Sequence, residues 1–85
     1  MATVAQEVSE AERAELITRW HEQMRRRIQS GEILFDAGRW EFYEERSGNS
    51  LLDEDQRLLK LWQSEGIIEI TQVYSHRKCK VTSCA

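Results

Sequence analysis

The residues of this sequence best suited to bind an anion are four basic side chains near its end: His76, Arg77, Lys78 and Lys80. They surround a polar tip between two segments whose alternating pattern predicts strands. An exposed basic hairpin can lie along a nucleic-acid backbone and contact its phosphates, although the same residues are also ordinary for a solvated turn. Three further residues could help to bind DNA, one at a phosphate and two at base edges: Arg57, Gln56 and Asn49.

A second set of residues could bind a basic protein surface. It combines one aromatic ring with six carboxylates from the middle of the chain: Trp40, Glu41, Glu44, Glu45, Asp53, Glu54 and Asp55. Aromatic rings are enriched at the centres of protein interfaces. The acids at 53–55 also have a structural explanation, because carboxylates in the first turn of a helix stabilise its dipole by about 0.3–1 kcal/mol each. Nothing nearby suggests a pocket in which paired carboxylates would do acid–base catalysis.

The cysteines and histidines offer weaker possibilities. His76, Cys79 and Cys84 could supply three zinc ligands, but a structural zinc site needs four, and His21 would have to come from another element. Two cysteines five residues apart on one straight strand point to opposite faces, so we expect reduced thiols rather than a disulfide. The sequence therefore predicts no metal and no cofactor.

Length and charge narrow the classes of function. A chain of 85 residues is one domain at most, with little room for a scaffold and a substrate cleft, so we do not expect an enzyme. The net charge of −3 gives no general attraction to nucleic acid, and the distribution of charge matters more. No apolar run approaches the ~18 residues that cross a bilayer, and the first residues do not form a secretory signal. We expect a cytoplasmic protein with no membrane partner.

The elements that must position these residues begin with a long helix. Ser9-Glu10-Ala11-Glu12 is a capping box, and the apolar residues that follow recur at three- and four-residue spacings as far as Ile28. Gly31 is a good stop for the helix. The sequence predicts a flexible tail at 1–8 and a helix at about 10–30, in a single domain at 9–85.

The middle of the chain allows two interpretations. Ile33–Phe35 is a short apolar run that fits a strand. Asp36 could then cap a second helix reaching about residue 46, or residues 33–35 and 39–43 could pair as a hairpin, which the aromatic residues at 40–43 would suit. The tryptophans, one for each predicted helix, are expected to meet in one core, unless an exposed Trp40 anchors a partner.

The last part of the chain predicts a further helix and a hairpin. Leucines and Trp62 form an apolar stripe over about 51–65, and Gly66 is the natural stop. The segment from Ile67 to Tyr74 is β-branched and alternates in part, and the segment from Cys79 to Cys84 alternates again. These two segments predict a hairpin that closes the chain.

Two stretches resemble winged-helix proteins. Ile28-Gln-Ser-Gly-Glu-Ile33 resembles the end of the first helix and the following strand of GntR-type winged-helix regulators. Leu58-Leu-Lys-Leu-Trp-Gln-Ser-Glu-Gly-Ile-Ile-Glu69 looks like the close of a winged-helix recognition helix and the start of its wing. The resemblance, over residues 28–85, implies an α+β winged-helix-like domain of three helices followed by a C-terminal β-hairpin.

The same resemblance implies a small DNA-binding transcription regulator, acting as a dimer on double-stranded DNA. The chain departs from the family pattern in three ways, one of which is that it carries Tyr43 and Glu44 near the crossing of the two middle helices, where the family pattern has small residues. It lacks the proline expected in the loop before the second helix, and the start of its recognition helix is acidic, where DNA phosphates would be repelled.

Those acids support an alternative function. The chain could be an acidic protein-binding module that inhibits a nucleic-acid-handling enzyme, as small phage and mobile-element proteins of the anti-CRISPR type do. This comparison rests on size and charge only.

Overall fold

The computed structural model describes residues 9–75 and 77–83. Its elements, in chain order, are α1 (Glu10–Gln29), β1 (Ile33–Asp36), β2 (Glu41–Glu44), α2 (Asp53–Ser64), β3 (Ile68–Ser75) and β4 (Lys78–Ser83). The predicted α+β class is therefore confirmed. The expected flexible tail at 1–8, the tip residue His76 and Cys84 lie outside the described residues.

The four strands form one antiparallel sheet in the order β2-β1-β4-β3. Strand side chains alternate between the two faces, and the buried ones lie on the face that carries both helices. The core consists of residues from α1, α2 and this inner face, among them Met24, Ile28, Leu58, Leu59, Trp62, Ile33, Phe35, Phe42 and Val81. The outer face carries Leu34 flanked by Tyr43 and Lys80 on the neighbouring strands.

Helix α1 begins and ends as its local sequence predicts. The Ser9 hydroxyl accepts a hydrogen bond from the Glu12 backbone N–H at 3.1 Å, which satisfies one of the helix's unpaired donors. At the other end Gly31 has a φ of 80°, which glycine adopts without a Cβ clash. Its N–H donates to the Ile28 carbonyl at 3.1 Å. The helix predicted at about 10–30 is confirmed at Glu10–Gln29.

The predicted second helix is wrong, and the alternative hairpin is correct. The Asp36 carboxylate accepts hydrogen bonds from the backbone N–H groups of Gly38 at 2.9 Å and Arg39 at 3.2 Å. It therefore caps a tight turn rather than a helix. Beyond the turn, Phe42 pairs with Phe35, and their rings lie 4.8 Å apart in the core. The fold has two helices among its described residues instead of the expected three.

Helix α2 begins two residues later than predicted. Leu51 still precedes the helix: its N–H donates to the Phe42 carbonyl at 3.1 Å, and its side chain enters the core. Leu52 precedes the helix and supplies no side-chain cap, while three carboxylates occupy the first turn. Gly66, with a φ of 78°, follows the end of the helix as expected.

The closing hairpin is confirmed as β3 and β4, which pair from Ile68 with Ser83 to Ser75 with Lys78. The ladder shifts register between Gln72 and Ser75, which marks a bulge near the tip. Within the described part of the chain, neither helix is long and apolar enough to cross a membrane.

Candidate nucleic-acid interface

The two hairpin turns lie side by side at one end of the sheet. Strand β1 ends at Asp36 and strand β4 begins at Lys78, and the residues just inside them, Phe35 and Cys79, are register partners. The Tyr43 hydroxyl links the two hairpins by donating a hydrogen bond to the Arg77 carbonyl at 2.9 Å. The fold thus brings together residues that are far apart in the sequence.

Four cations lie at this end of the sheet and on its outer face. We call Arg39, Arg77, Lys78 and Lys80 the basic surface. All four are exposed. The two salt bridges recorded for the described residues join Arg19 to Glu15 and Arg27 to Glu44, so neither neutralises this surface.

The structure unites three of the predicted phosphate-binding residues and adds one that the sequence did not indicate. Arg77, Lys78 and Lys80 belong to β4 and its turn, as expected for the basic hairpin. Arg39 joins them because the chain forms a hairpin at 36–44, whereas the helix interpretation had given it no role. The alternative interpretation of residues 33–43 as a hairpin is the signal that could have identified Arg39.

A shallow groove of about 240 Å³ lies between the turns. Its charged and aromatic lining comprises Asp36, Arg39, Glu41, Tyr43, Arg77 and Lys78. Glu41 accepts a hydrogen bond from the Ser50 hydroxyl at 2.7 Å, and Asp36 is held by the turn it caps. The donors in these hydrogen bonds are neutral, so both carboxylates keep their negative charge, and the groove combines three cations with two anions.

Trp40 stands beside the basic surface rather than in the core. Its backbone has a φ of 59°, and 58 % of its surface is exposed. One edge of the indole packs against the ring of Phe35, with centroids 5.1 Å apart. The expectation that three tryptophans meet in one core is wrong for Trp40, which lies in the β1–β2 turn and reaches the core only at Phe35. Trp62 is buried and Trp20 is partly buried.

Tyr43 gives this region a pH dependence. Burial raises the pKa of its hydroxyl above the ordinary value of 10.0, and the nearby Asp36 carboxylate adds to the shift. A raised pKa means that neutral Tyr43 stabilises the fold below pH 10, and that this contribution is lost as the pH rises through the folded-state pKa.

We therefore expect the difference in unfolding free energy between the unaltered chain and Tyr43→Phe to shrink from pH 8 to about pH 11. Urea unfolding at a series of pH values measures this difference. A difference that stays constant across that range would contradict a raised pKa of Tyr43 in the folded protein.

Gln56 is not a base-reading residue, contrary to expectation. It is only 7 % exposed. Its Oε1 accepts the Phe42 N–H at 2.7 Å, and its Nε2 donates to the Phe42 carbonyl at 2.6 Å and to the Leu51 carbonyl at 3.4 Å. The side chain thus completes the backbone hydrogen bonding of β2 and cannot reach a ligand.

Of the other two predicted DNA contacts, Arg57 lies apart from the basic surface and Asn49 lies near it. Arg57 is exposed on α2, where it lines an apolar groove with Trp20 and Leu61 on the helical side of the molecule. Asn49 is exposed in the loop after β2, and its carbonyl accepts the Glu44 N–H at 2.8 Å. Its neighbours Gly48 and Ser50 line the groove that also contains Arg39, Arg77 and Lys78.

The predicted acidic surface is divided among several elements. Glu44 pairs with Arg27 at 3.2 Å, and Asp55 accepts a hydrogen bond from the Trp20 indole N–H at 2.8 Å. Glu41 lies at the groove of the outer face. The remaining acids, Glu45, Asp53 and Glu54, are exposed, on a turn and at the start of α2. These carboxylates do not form one continuous face.

The described residues offer little for metal or thiol chemistry. Cys79 is buried on the inner face of the sheet, and its thiol donates to the Ser75 carbonyl at 3.7 Å. His21 packs against Trp20 and Trp62, with ring centroids 5.4 Å from each. In the part of the chain that the structure describes, no group of three or more potential ligands is placed to hold a metal ion.

Comparison of the chain with models of known protein families, with curated proteins and with solved structures finds no match.

Proposed function

We propose that this protein binds double-stranded DNA, with the basic surface contacting the phosphate backbone. The observation that carries the proposal is the convergence of four exposed cations from two hairpins, none of them used in a salt bridge recorded for the described residues. The whole chain has a net charge of −3, so the clustering of these four cations is not a consequence of its composition, even though Asp36 and Glu41 offset part of their charge. Phosphate contacts position a protein on DNA.

The order of the elements supports a winged-helix-like role. Helix α1, strand β1, helix α2 and the β3–β4 hairpin keep the order that the resemblance implies, with β1 next to β4, but a strand, β2, stands where the middle helix was expected. In this proposal the β3–β4 hairpin acts as the wing of a small transcription regulator. The role agrees with the cytoplasmic location that the sequence predicts.

The proposal does not place α2 in the major groove. Asp53 and Glu54 are exposed in its first turn, and they would repel the phosphates on both sides of the groove. Gln56, the residue expected to read a base from this helix, is buried. The binding that we propose therefore depends mainly on contacts to the DNA backbone. Trp40 is available to contact the edge of a DNA groove.

The test is fluorescence anisotropy with a labelled random-sequence duplex at about 50 and 200 mM salt. If three or four phosphates are contacted, the affinity should fall roughly 40- to 150-fold over this range. Arg77→Gln with Lys78→Gln removes two contacts, so binding should weaken at low salt and the salt dependence should become less steep by nearly two units.

A matched control keeps the same change in net charge. Arg26→Gln with Arg46→Gln neutralises two exposed arginines outside the basic surface, and it should leave the salt slope unchanged. An absence of binding at the lower salt, or an equal loss in the two variants, would overturn the proposal.

A second candidate function is the inhibition of a nucleic-acid-handling enzyme through a basic surface of that enzyme. The observation that favours it is the exposed Trp40, whose ring is held from one side by Phe35 and is otherwise open to a partner. If DNA binding is absent, capture experiments should compare Trp40→Ala with Leu52→Ala, a substitution at another highly exposed apolar residue. Loss of a partner in the Trp40 variant alone would support this function.

A further inference from the structure

The turn between β1 and β2 holds Trp40 in place although the residue is 58 % exposed. Its backbone φ of 59° is uncommon for a residue with a bulky side chain. The indole lies 5.1 Å from the ring of Phe35, centroid to centroid. The Asp36 carboxylate fixes the same turn by accepting the N–H groups of Gly38 and Arg39. The protein therefore presents an open aromatic ring in a defined position.

The groove beside this ring contains groups of both charges. Its charged residues are three cations and two carboxylates: Arg39, Arg77, Lys78, Asp36 and Glu41. Trp40 lies in the chain between two of them, Arg39 and Glu41. Glu41 accepts the Ser50 hydroxyl through Oε2, and Asp36 accepts its turn through Oδ1. Among the described residues no hydrogen bond is recorded to the second oxygen of either carboxylate, so each can accept one more.

A single nucleotide has a complement for each of these groups. Its phosphate is an anion for the cations, and its base has a flat face that stacks on an aromatic ring. The edges of adenine, cytosine and guanine carry N–H donors that a carboxylate accepts. A groove that bound phosphates alone would gain nothing from two carboxylates, which repel them. Its volume of about 240 Å³ is below the ~300–1,000 Å³ of pockets for drug-sized ligands, so it suits one nucleotide rather than several.

A base must be unpaired to stack on Trp40. Inside a duplex each base lies between its neighbours and its pairing edge is occupied, so neither its face nor that edge is open to a protein. A single-stranded extension at the end of a duplex exposes both. The cations of the groove can then contact the phosphates of the unpaired strand, while Lys80, further along β4, remains for the phosphates of the duplex.

We propose that the groove beside Trp40 binds an unpaired nucleotide at a junction between duplex and single-stranded DNA. The Trp40 ring stacks on the base, Arg39 and Arg77 contact its phosphates, and Glu41 accepts a hydrogen bond from the base edge. This inference rests on the proposed binding of double-stranded DNA and adds the form of DNA that is bound.

Fluorescence anisotropy tests the proposal with three DNAs of related sequence: a blunt duplex, the same duplex with a single-stranded extension, and the single strand alone. Extensions of both polarities are needed. One stacked base should make the extended duplex of the preferred polarity bind about 5- to 150-fold more tightly than the blunt duplex. Stacking should also quench the fluorescence of Trp40, and Trp40→Phe should abolish this part of the quenching.

Substitutions of Trp40 separate the ring from the cations. Trp40→Asn removes the ring, and asparagine tolerates a positive φ, so the turn should stay folded, as circular dichroism would check. This variant should bind the extended and the blunt duplex with nearly equal affinity, whereas Trp40→Phe should keep part of the preference. Leu61→Asn is the matched control, because Leu61 is 54 % exposed and lies on the helical side of the molecule. It should leave the preference unchanged.

The outcomes distinguish this inference from the function on which it rests. Equal, salt-sensitive binding of the blunt and the extended duplex would overturn the inference and leave the proposed function standing. A single strand bound far more tightly than either duplex would overturn the proposed binding of double-stranded DNA, although a base would still stack on Trp40. A free nucleoside monophosphate bound as tightly as the extended duplex would overturn the assignment to a DNA strand. An absence of binding to every DNA would overturn both.

Discussion

Replacing Gln56 by glutamate should lower the free energy of unfolding at pH 7 by about 2–4 kcal/mol. Gln56 joins both polar groups of the Phe42 backbone, accepting from its N–H and donating to its carbonyl. An ionised carboxylate of the same shape keeps the hydrogen bond from the Phe42 N–H and loses both donations of the amide, to the Phe42 and Leu51 carbonyls. It also leaves the buried Phe42 carbonyl facing a negative charge, which costs more than an empty position.

The pH dependence of this variant separates hydrogen bonding from packing. Because only the protonated carboxyl can donate to Phe42, the pKa of the introduced glutamate should be higher in the folded protein than its unfolded value of about 4.3. The variant's stability relative to the unaltered chain is then greatest below that value and declines as the pH rises through the folded-state pKa.

Urea unfolding at about pH 4 and pH 7 measures both effects. Gln23→Glu is the control, since Gln23 is exposed in the middle of α1 and its substitution should change stability by no more than about 0.5 kcal/mol. If the Gln56 variant is no less stable than this control at pH 7, the hydrogen bonds to Phe42 do not support β2.

The helical period of α2 indicates that Gln56 is buried, but its polar side chain suggested a surface position. Gln56 lies three residues before Leu59 on α2, so the helical period places both on the inner side. A polar residue on such a stripe is buried only if it finds partners. Those partners belong to β2, which the helix interpretation of 36–46 had removed. The error at Gln56 is therefore a consequence of the error in the middle of the chain.

Local sequence predicted the two helices and the closing hairpin because each is determined by nearby residues. Ser9 and Gly31 delimit α1, and Gly66 follows α2, through hydrogen bonds and backbone angles within one turn. Asp36 is different, because a carboxylate can cap a helix or a tight turn with the same oxygen. The aromatic residues at 40–43 were the local sign of a hairpin, which pairs Phe35 with Phe42. The pairing of β1 with β4, more than forty residues away along the chain, supports the same choice and has no local pattern that indicates it.

Only those residues of the candidate site that are neighbours in the sequence could be predicted. Arg77, Lys78 and Lys80 are neighbours in the sequence, and alternation alone sets Lys78 and Lys80 on the outer face of β4. Arg39 joins them through the sheet order, and Arg57 is separated from them because α2 packs on the opposite face. Charge runs therefore predicted three of the four residues of the basic surface, while the tertiary topology adds Arg39.

The second large effect should follow the loss of the Phe35 ring. Phe35 lies on a central strand, contacts the Phe42 ring at 4.8 Å, and supports the exposed Trp40 ring at 5.1 Å. We expect Phe35→Ala to lower the free energy of unfolding by about 3–5 kcal/mol, which for a domain of this size corresponds to a fall in Tm of at least about 12 °C. Leu34→Ala, next to it but on the outer face, should cost less than half as much.

Phe35→Leu isolates the aromatic contribution, because leucine preserves most of the apolar burial and removes both ring contacts. This variant should stay folded with a loss of about 1–2 kcal/mol, while Trp40 loses the edge that holds it beside the basic surface. If Trp40 contacts DNA, affinity for the duplex should then fall although Arg77 and Lys78 are unchanged. An unaltered affinity in a folded Phe35→Leu protein would mean that binding depends on the cations alone, because the ring beside them would have been released without consequence.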